Sequence, residues 1–326
     1  MSGGLGIMQN SVFTTQNAAL TAFNAALDQG IQSVRVEDLW YLNVAMETTS
    51  STETELYDWL EQAADFREWK GERKFSPLRQ NGYALRNVDW DWGVEIHRNK
   101  FRDNQFLRQS ALFQMGGVNA RLHPQRRVAA NLMGFATAGA CWNGKVFFAA
   151  DHPVDNFDSA KGIFSNRITN VLNPANFNLA RAAMMKFKDA SGEVLAAPPD
   201  TLMVPPDLVT TADMLASSII LTTVPGAALN TGIGQAPRQK IRVIECPEFA
   251  AEPTVWYLAR TRGPIKPVIV QKRTRPVVEF IEDLNSSYCK KNKKVQLGAD
   301  YSAAFGWSFP QLMMRCGDAE ASTTLS

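Results

Sequence analysis

Histidine is scarce in this 326-residue chain, three residues in all, and cysteine is hardly commoner at four. Cys141, Cys246, Cys289 and Cys316 are scattered, with no Cys-x-x-Cys pair to grip zinc or do dithiol chemistry. Such thiols are expected to be buried and reduced. No apolar run is long enough to cross a bilayer. The start, Met1-Ser2-Gly3-Gly4, lacks the charge and apolar stretch of a secretion signal. Net charge is nearly absent too: 34 Lys and Arg stand against 32 Asp and Glu, a formal +2. A dedicated nucleic-acid binder carries more positive charge, so any such contact must come from local patches such as Lys290–Lys294. There is no Gly-x-x-x-x-Gly-Lys-Ser/Thr cradle for phosphates, and the acids of 53–65 lack the spacing and glycine of a calcium loop. The expectation is a non-enzyme with no cofactor and no metal. One exception needs weighing. Asp151-His152 could orient an imidazole for general-base hydrolysis, but no Gly-x-Ser-x-Gly elbow accompanies it, and a local turn is the plainer reading.

What is present is a mixed α+β pattern without repeats. Leu20, Phe23, Ala26 and Leu27 recur at helical spacing up to Gly30, after a polar, Gly-rich start over 1–14. An isolated helix this short is marginal, so it needs a partner surface. Alternation from Val34 to Val44 predicts an extended segment. From 75 to 101 the pattern predicts a long β-hairpin turning at Asn81-Gly82. One face of its return strand carries Val88, Trp90, Trp92, Val94 and Ile96, a stripe that a two-stranded ribbon cannot bury alone. It must lie on another part of the fold or on a neighbour. Asp103 begins a long helical stretch that Pro124 breaks or kinks before Gly139. Asn173-Pro174 is a strong helix start. Strands follow at 201–204, 241–246, 255–259, 267–271 and 277–281, with a Gly-, Ala- and Pro-containing loop over 225–238. The eight tryptophans sit among aliphatic neighbours, which favours packing over base stacking.

Charge is segregated locally. Glu53, Glu55, Asp58, Glu61 and Asp65 precede a basic stretch with Arg67, Lys70, Arg73, Lys74 and Arg79. A solvated helix face followed by a basic hairpin explains this, and so does complementary charge between copies of the chain. From Arg260 to Arg275 inclusive there are six basic residues and no acid, in a run offering no nucleophile or base. These features describe a protein that works through its surfaces.

Taken in order, several segments resemble the Mu-like prophage major head subunit family. They are Tyr57-Asp58-Trp59-Leu60, Phe66–Arg73, Gly82–Asn87 with Glu95–Arg98, Phe147–Val154 containing Asp-His-Pro-Val, Gly263–Pro267, and Gly298–Tyr301 with Gly306-Trp307. The resemblance spans roughly residues 15–317. It implies the tailed-phage major capsid fold of the Hong Kong 97 type. Residues 1–50 would be an N-terminal arm, 51–65 the lead into the peripheral domain, and 66–102 an extended β-hairpin loop. Residues 103–140 would be the spine helix, 141–267 the axial domain, 268–318 peripheral strands and 319–326 a tail. The implied function is self-assembly, as hexamers and pentamers, into an icosahedral T=7 head shell, made in the host cytoplasm and ending in the virion. Implied partners are a separate scaffold or protease protein, a portal, a decoration or minor capsid protein, and packaged double-stranded DNA held non-specifically; no membrane is implied. The short stretch before the arm is what makes the scaffold separate. Expected interface residues are Leu20, Phe23, Leu27, Glu53, Glu55, Asp58, Arg67, Lys70, Arg73, Lys74, Arg79, Trp90 and Trp92. Gly116, Gly117, Pro124 and Gly139 are expected hinges. An encapsulin-type cargo shell is the alternative within the fold, and a His152/Asp151 hydrolase the alternative outside it.

Overall fold

A computed structural model describes residues 3–61, 82–102, 109–195, 198–217 and 241–317. In chain order the elements are α1 (Gly3–Ser33), α2 (Tyr41–Val44), β1 (Ala45–Thr49), β2 (Thr54–Tyr57), β3 (Tyr83–Arg86), β4 (Val88–His97), α3 (Arg98–Arg102) and α4 (Ser110–Met133). Then come β5 (His152–Pro153), β6 (Ile163–Phe164), β7 (Arg167–Ile168), α5 (Pro174–Met184), β8 (Thr201–Val204), α6 (Val209–Ser217), β9 (Arg242–Glu245) and β10 (Trp256–Ala259). The last are β11 (Val268–Lys272), β12 (Val277–Glu282), α7 (Ser287–Asn292), β13 (Lys294–Trp307) and β14 (Met313–Cys316).

Two five-stranded sheets organise these elements. In the first, β1-β11-β13-β12 are neighbours in that order and β4 also pairs with β13. The second runs β7-β14-β10-β8-β9. The fourteen-residue β13 is the axis of the first sheet: it meets β4 over Lys294–Ala303, β12 over Gln296–Asp300 and β11 over Ala303–Trp307. Between the sheets lies an apolar layer built from α2, the C-terminal part of α4, Phe147, Phe148, Tyr257 and Trp307. Phe147 stacks on Trp307 with ring centroids 4.3 Å apart. The buried guanidinium of Arg315 donates to the Tyr257 hydroxyl and, at 3.0 Å, to Glu252.

Several expectations change here. The helix expected from Thr15 begins at Gly3, and Val34 to Val44, expected extended, forms a 3₁₀ turn and α2. That segment buries Leu39, Trp40, Tyr41 and Val44 together, which an alternating strand would not do. Pro124 does not break α4. The helix runs through it to Gly134, whose N–H closes on the Ala130 carbonyl at 2.8 Å. The described part of the ribbon expected over 75–101 forms two elements: β3 pairs with β2, and β4 joins the first sheet, while residues 75–81 lie outside the described residues. Asn81, Asp103, the 225–238 loop and the 319–326 tail lie outside the described residues. Finally, β14 belongs to the second sheet, so the 268–318 stretch divides between the two.

Candidate assembly surface

The helix face of the first sheet is closed by this chain's own helices. Trp90, Trp92, Val94 and Ile96 alternate along β4 toward α4, while Ala299, Leu297 and Val295 oppose them from β13. Trp92 meets Phe113 edge-on at 5.6 Å, and Trp90 lies 4.7 Å from the His123 ring with the Arg127 guanidinium over its face. The Tyr301 hydroxyl bonds His123 Nδ1. Burial, then the neighbouring Arg127 and Arg126, hold that imidazole's pKa below its ordinary value.

α1 lies against the same face. Phe23 stacks on Phe113 at 4.0 Å, and Phe23 and Leu27 are fully buried, with Leu20 packed at the margin of that cluster. Asn24 presents its amide to the β12 backbone, accepting from Val278 N at 2.9 Å and donating to Val278 O at 3.1 Å. The partner that this arm helix needed is therefore the body of its own chain. So is the partner of the Trp90/Trp92 stripe.

Gly116 and Gly117 have a packing reason for being glycine. A Cβ on Gly117 would sit 2.1 Å from the Leu27 carbonyl oxygen, one on Gly30 would sit 2.0 Å from that of Gln114, and one on Gly116 would press on the Trp92 ring at 3.2 Å. These glycines let α1 and α4 touch backbone to backbone. Of the expected hinges only Gly139 lies outside a helix, with φ +91°.

The acidic residues expected to meet a neighbour have local duties. Glu53 pairs with Arg86 at 2.7 Å on the exposed β2–β3 hairpin. The Glu55 carboxylate accepts from the Ser50 and Thr52 hydroxyls and from Ser51 and Thr52 N–H, and these bonds lower its pKa. Asp58 is exposed, next to Gly82. The base of the hairpin is locked by buried Asn87, which donates to Ser50 Oγ at 2.8 Å and Thr52 O at 2.9 Å and accepts from Gln271 at 2.8 Å. Arg67, Lys70, Arg73, Lys74 and Arg79 lie outside the described residues.

The His152/Asp151 pair is not arranged for catalysis. His152 is fully buried, accepts from Asn143 Nδ2 at 2.8 Å through Nδ1, and donates from Nε2 to the Phe147 carbonyl at 3.1 Å. Asp151 instead pairs with Lys145. With both ring nitrogens occupied and the ring stacked on Phe164, this is a structural imidazole. Among the described residues no group of three His, Cys, Asp or Glu side chains could hold a metal ion.

What the sequence did not reveal is the opposite face of the first sheet. The β2–β3 hairpin covers one end, where Tyr57, Leu60 and Leu85 pack on Ile269 and Ala304. The remainder is covered by no element among the described residues and carries Asp89, Asp91, Glu279 and Asp300, all exposed. Asp91 and Asp300 are cross-strand partners. The polar alternation along β4 was visible, but the register that puts these two acids opposite each other joins residues about two hundred positions apart.

Comparison with known proteins supplies the family. The model for the Mu-like prophage major head subunit gpT matches residues 16–171, and the phage capsid protein model matches residues 126–303, more than half of the chain. The chain is 33% identical over 115 residues to the Mu-like prophage FluMu major head subunit of Haemophilus influenzae, covering 35% of this chain and 37% of that protein. It is 28% identical over 137 residues to the major capsid protein of Escherichia phage Mu, covering 42% and 44%. The matched region thus spans less than half the length of either relative. In fold it is similar to the procapsid of bacteriophage JBD30, with a TM-score of 0.51, 18% identity, and coverage of 94% of this chain and 77% of that one. Two interleaved sheets, a long helix packed across one of them and these sequence matches lead to one assignment: the chain belongs to the phage capsid protein family, with the tailed-phage capsid fold and a Mu-like head-subunit sequence over its first half.

Proposed function

We propose that this chain is the major capsid protein of a Mu-like tailed phage, self-assembling as hexamers and pentamers into the icosahedral head shell that encloses the genome. The observation that carries this is the pair of overlapping family matches, which run from residue 16 to residue 303. The fold alone would equally suit a cargo-holding shell of the encapsulin type; sequence kinship with the Mu-like head subunits favours the phage head. In that role the chain becomes part of the virion after assembly in the host cytoplasm. Its partners are a scaffold or protease protein, the portal, minor or decoration proteins, and double-stranded DNA contacted without sequence preference.

The physical demand on such a chain is many weak copies of one contact. Isolated surface ion pairs contribute about 0–1 kcal/mol, whereas obligate interfaces bury on the order of 2,000–5,000 Å². Because α1 and the β4 stripe are already used internally, the contacts between copies must come from the residues left exposed. Among the described residues Phe157 and Ile163 around the β5–β6 hairpin, 58% and 68% exposed, are one such group, and the basic run of Arg67, Lys70, Arg73, Lys74 and Arg79 is a further candidate from its charge alone. Changes in shell geometry would be absorbed around Gly139, between α4 and the second sheet, and not at Gly116 or Gly117.

The test is electron microscopy of the chain expressed with the scaffold gene beside it. Uniform closed shells are expected. Particles that remain monomeric at high concentration in the presence of that scaffold would overturn the reading.

A further inference from the structure

We infer that a cleft on the helix face of the first sheet binds a phosphate dianion, either free or as a monoester. The cleft is walled by α1, α4 and the turn that joins β11 to β12. The inference rests on side chains within one chain and is independent of how copies of that chain assemble.

A cavity of about 280 Å³ is lined by Arg121, Lys272 and Arg275, with Asp28 the one acid on its wall. That volume lies just under the range of about 300–1,000 Å³ usual for small-molecule sites. Lys272 is already engaged: its ammonium bonds the Glu47 carboxylate, which also accepts from the Tyr41 hydroxyl at 2.7 Å. The two arginines differ. Among the described residues neither the Arg121 nor the Arg275 guanidinium has an ion-pair or hydrogen-bond partner. Two unpaired positive charges thus share the cleft with one exposed carboxylate. Both are carried on firm supports. Arg121 precedes Pro124 by one turn on the cleft side of α4. The turn bearing Arg275 is pinned to β13: Arg273 N and Thr274 N donate to the Ser302 carbonyl at 2.9 and 3.3 Å, and Thr274 Oγ1 accepts from Ser302 N at 2.7 Å. The Thr274 hydroxyl, itself on the cleft wall, keeps its own proton to give. Between the cations the wall is apolar, with Ile31, Val270 and Ala303, which strengthens any charge-assisted bond formed there.

The donor set selects the anion. Guanidiniums present forked N–H pairs that match the oxygens of carboxylates and phosphates. A carboxylate brings one charge and two oxygens, and a phosphodiester of a nucleic-acid backbone also brings a single charge. A phosphate dianion brings about −1.5 to −2 at neutral pH and three acceptor oxygens, which suffices for both arginines and Thr274 together. Shape points the same way. A diester continues as chain on both sides of its phosphorus, whereas a free phosphate or a monoester enters a recess head first. Bound there, the anion joins α4 to the β11–β12 turn beside the end of α1, so occupancy stabilises the folded chain. The apolar wall leaves room for a small organic body behind the phosphate.

The experiment is equilibrium dialysis of the unassembled full-length chain against radiolabelled inorganic phosphate and, separately, thymidine 5′-monophosphate, at constant ionic strength. Saturable binding of about one anion per chain is expected, with an unfolding midpoint that rises with anion concentration. Arg121→Gln/Arg275→Gln should weaken binding at least about tenfold. Arg126→Gln, at an exposed arginine of the same helix outside the cleft, should leave it unchanged. Arg275 lies on an exposed turn, so Arg275→Gln alone, with a several-fold loss expected, keeps the test open if the double variant does not fold. Tighter binding of the nucleotide identifies an organic ligand, and equal binding identifies phosphate itself. Binding that does not saturate, or that survives undiminished in the Arg275→Gln chain, overturns the site. So does a 5′-hydroxyl DNA duplex that competes, phosphate for phosphate, as well as the monoester.

Discussion

A methyl group added at Gly117 would meet the Leu27 carbonyl oxygen at 2.1 Å, a backbone atom of another helix that cannot rotate aside. Gly117→Ala should therefore cost about 1–3 kcal/mol, as overpacking does, and Phe23→Ala about 3–5 kcal/mol through the cavity it leaves. Both are expected as lowered midpoints in thermal unfolding of the unassembled chain; if either acts only on the assembled shell, α1 is not part of the chain's own core. His152 carries a pH dependence. Burial holds its folded pKa below the unfolded value near 6.5. The unfolded chain thus takes up the proton first as pH falls below about 6.5, so stability is full above that point and declines toward acid. Replacement by Gln should flatten this part of the midpoint-against-pH curve between pH 7.5 and 5, and an unchanged slope would show that the imidazole is not buried neutral. At this scale the sequence was readable where the signal is local. Asn173 does cap α5, accepting from Asn176 N at 2.9 Å, with Pro174 at the first helical position. The reason for Gly117 was not readable, because it sits ninety residues away in Leu27.

Among elements, the short strands of the second sheet were legible from their apolar runs: β8 and β10 are buried at every position. The pairing of β4 was not. Its alternation correctly marked a strand with two unlike faces, but the surface that covers the apolar one is assembled from α1 and α4, its ladder partner is β13, and nothing local specifies a partner so distant in the chain. The β2–β3 hairpin shows the same limit. Asn81 lies outside the described residues, and the strand after Gly82 pairs with Thr54–Tyr57, a pairing that no local signal announced. Its attachment depends heavily on Asn87. Asn87→Ala removes three hydrogen bonds at a buried position, a loss of about 1–3 kcal/mol. Amide exchange should then quicken in β2 and β3 and stay slow in the β4–β13 ladder. Equal acceleration in both would mean that the hairpin and the sheet open as one unit.

For the molecule as a whole, near-zero net charge means that copies approach without strong mutual repulsion, so specificity must come from where charge is placed. All four cysteines are buried, and they are spread across the interior: Cys289 under the first sheet, Cys141 and Cys246 in the layer between the sheets, Cys316 in the second sheet. Burial raises the pKa of Cys141 and Cys246 well above the ordinary thiol value, which leaves almost no reactive thiolate while the fold is closed. Each region of the interior thus contains its own silent chemical clock, started only when that region breathes. Timed modification by a small disulfide reagent, read out cysteine by cysteine, would rank the regions in the order they loosen when a shell is strained.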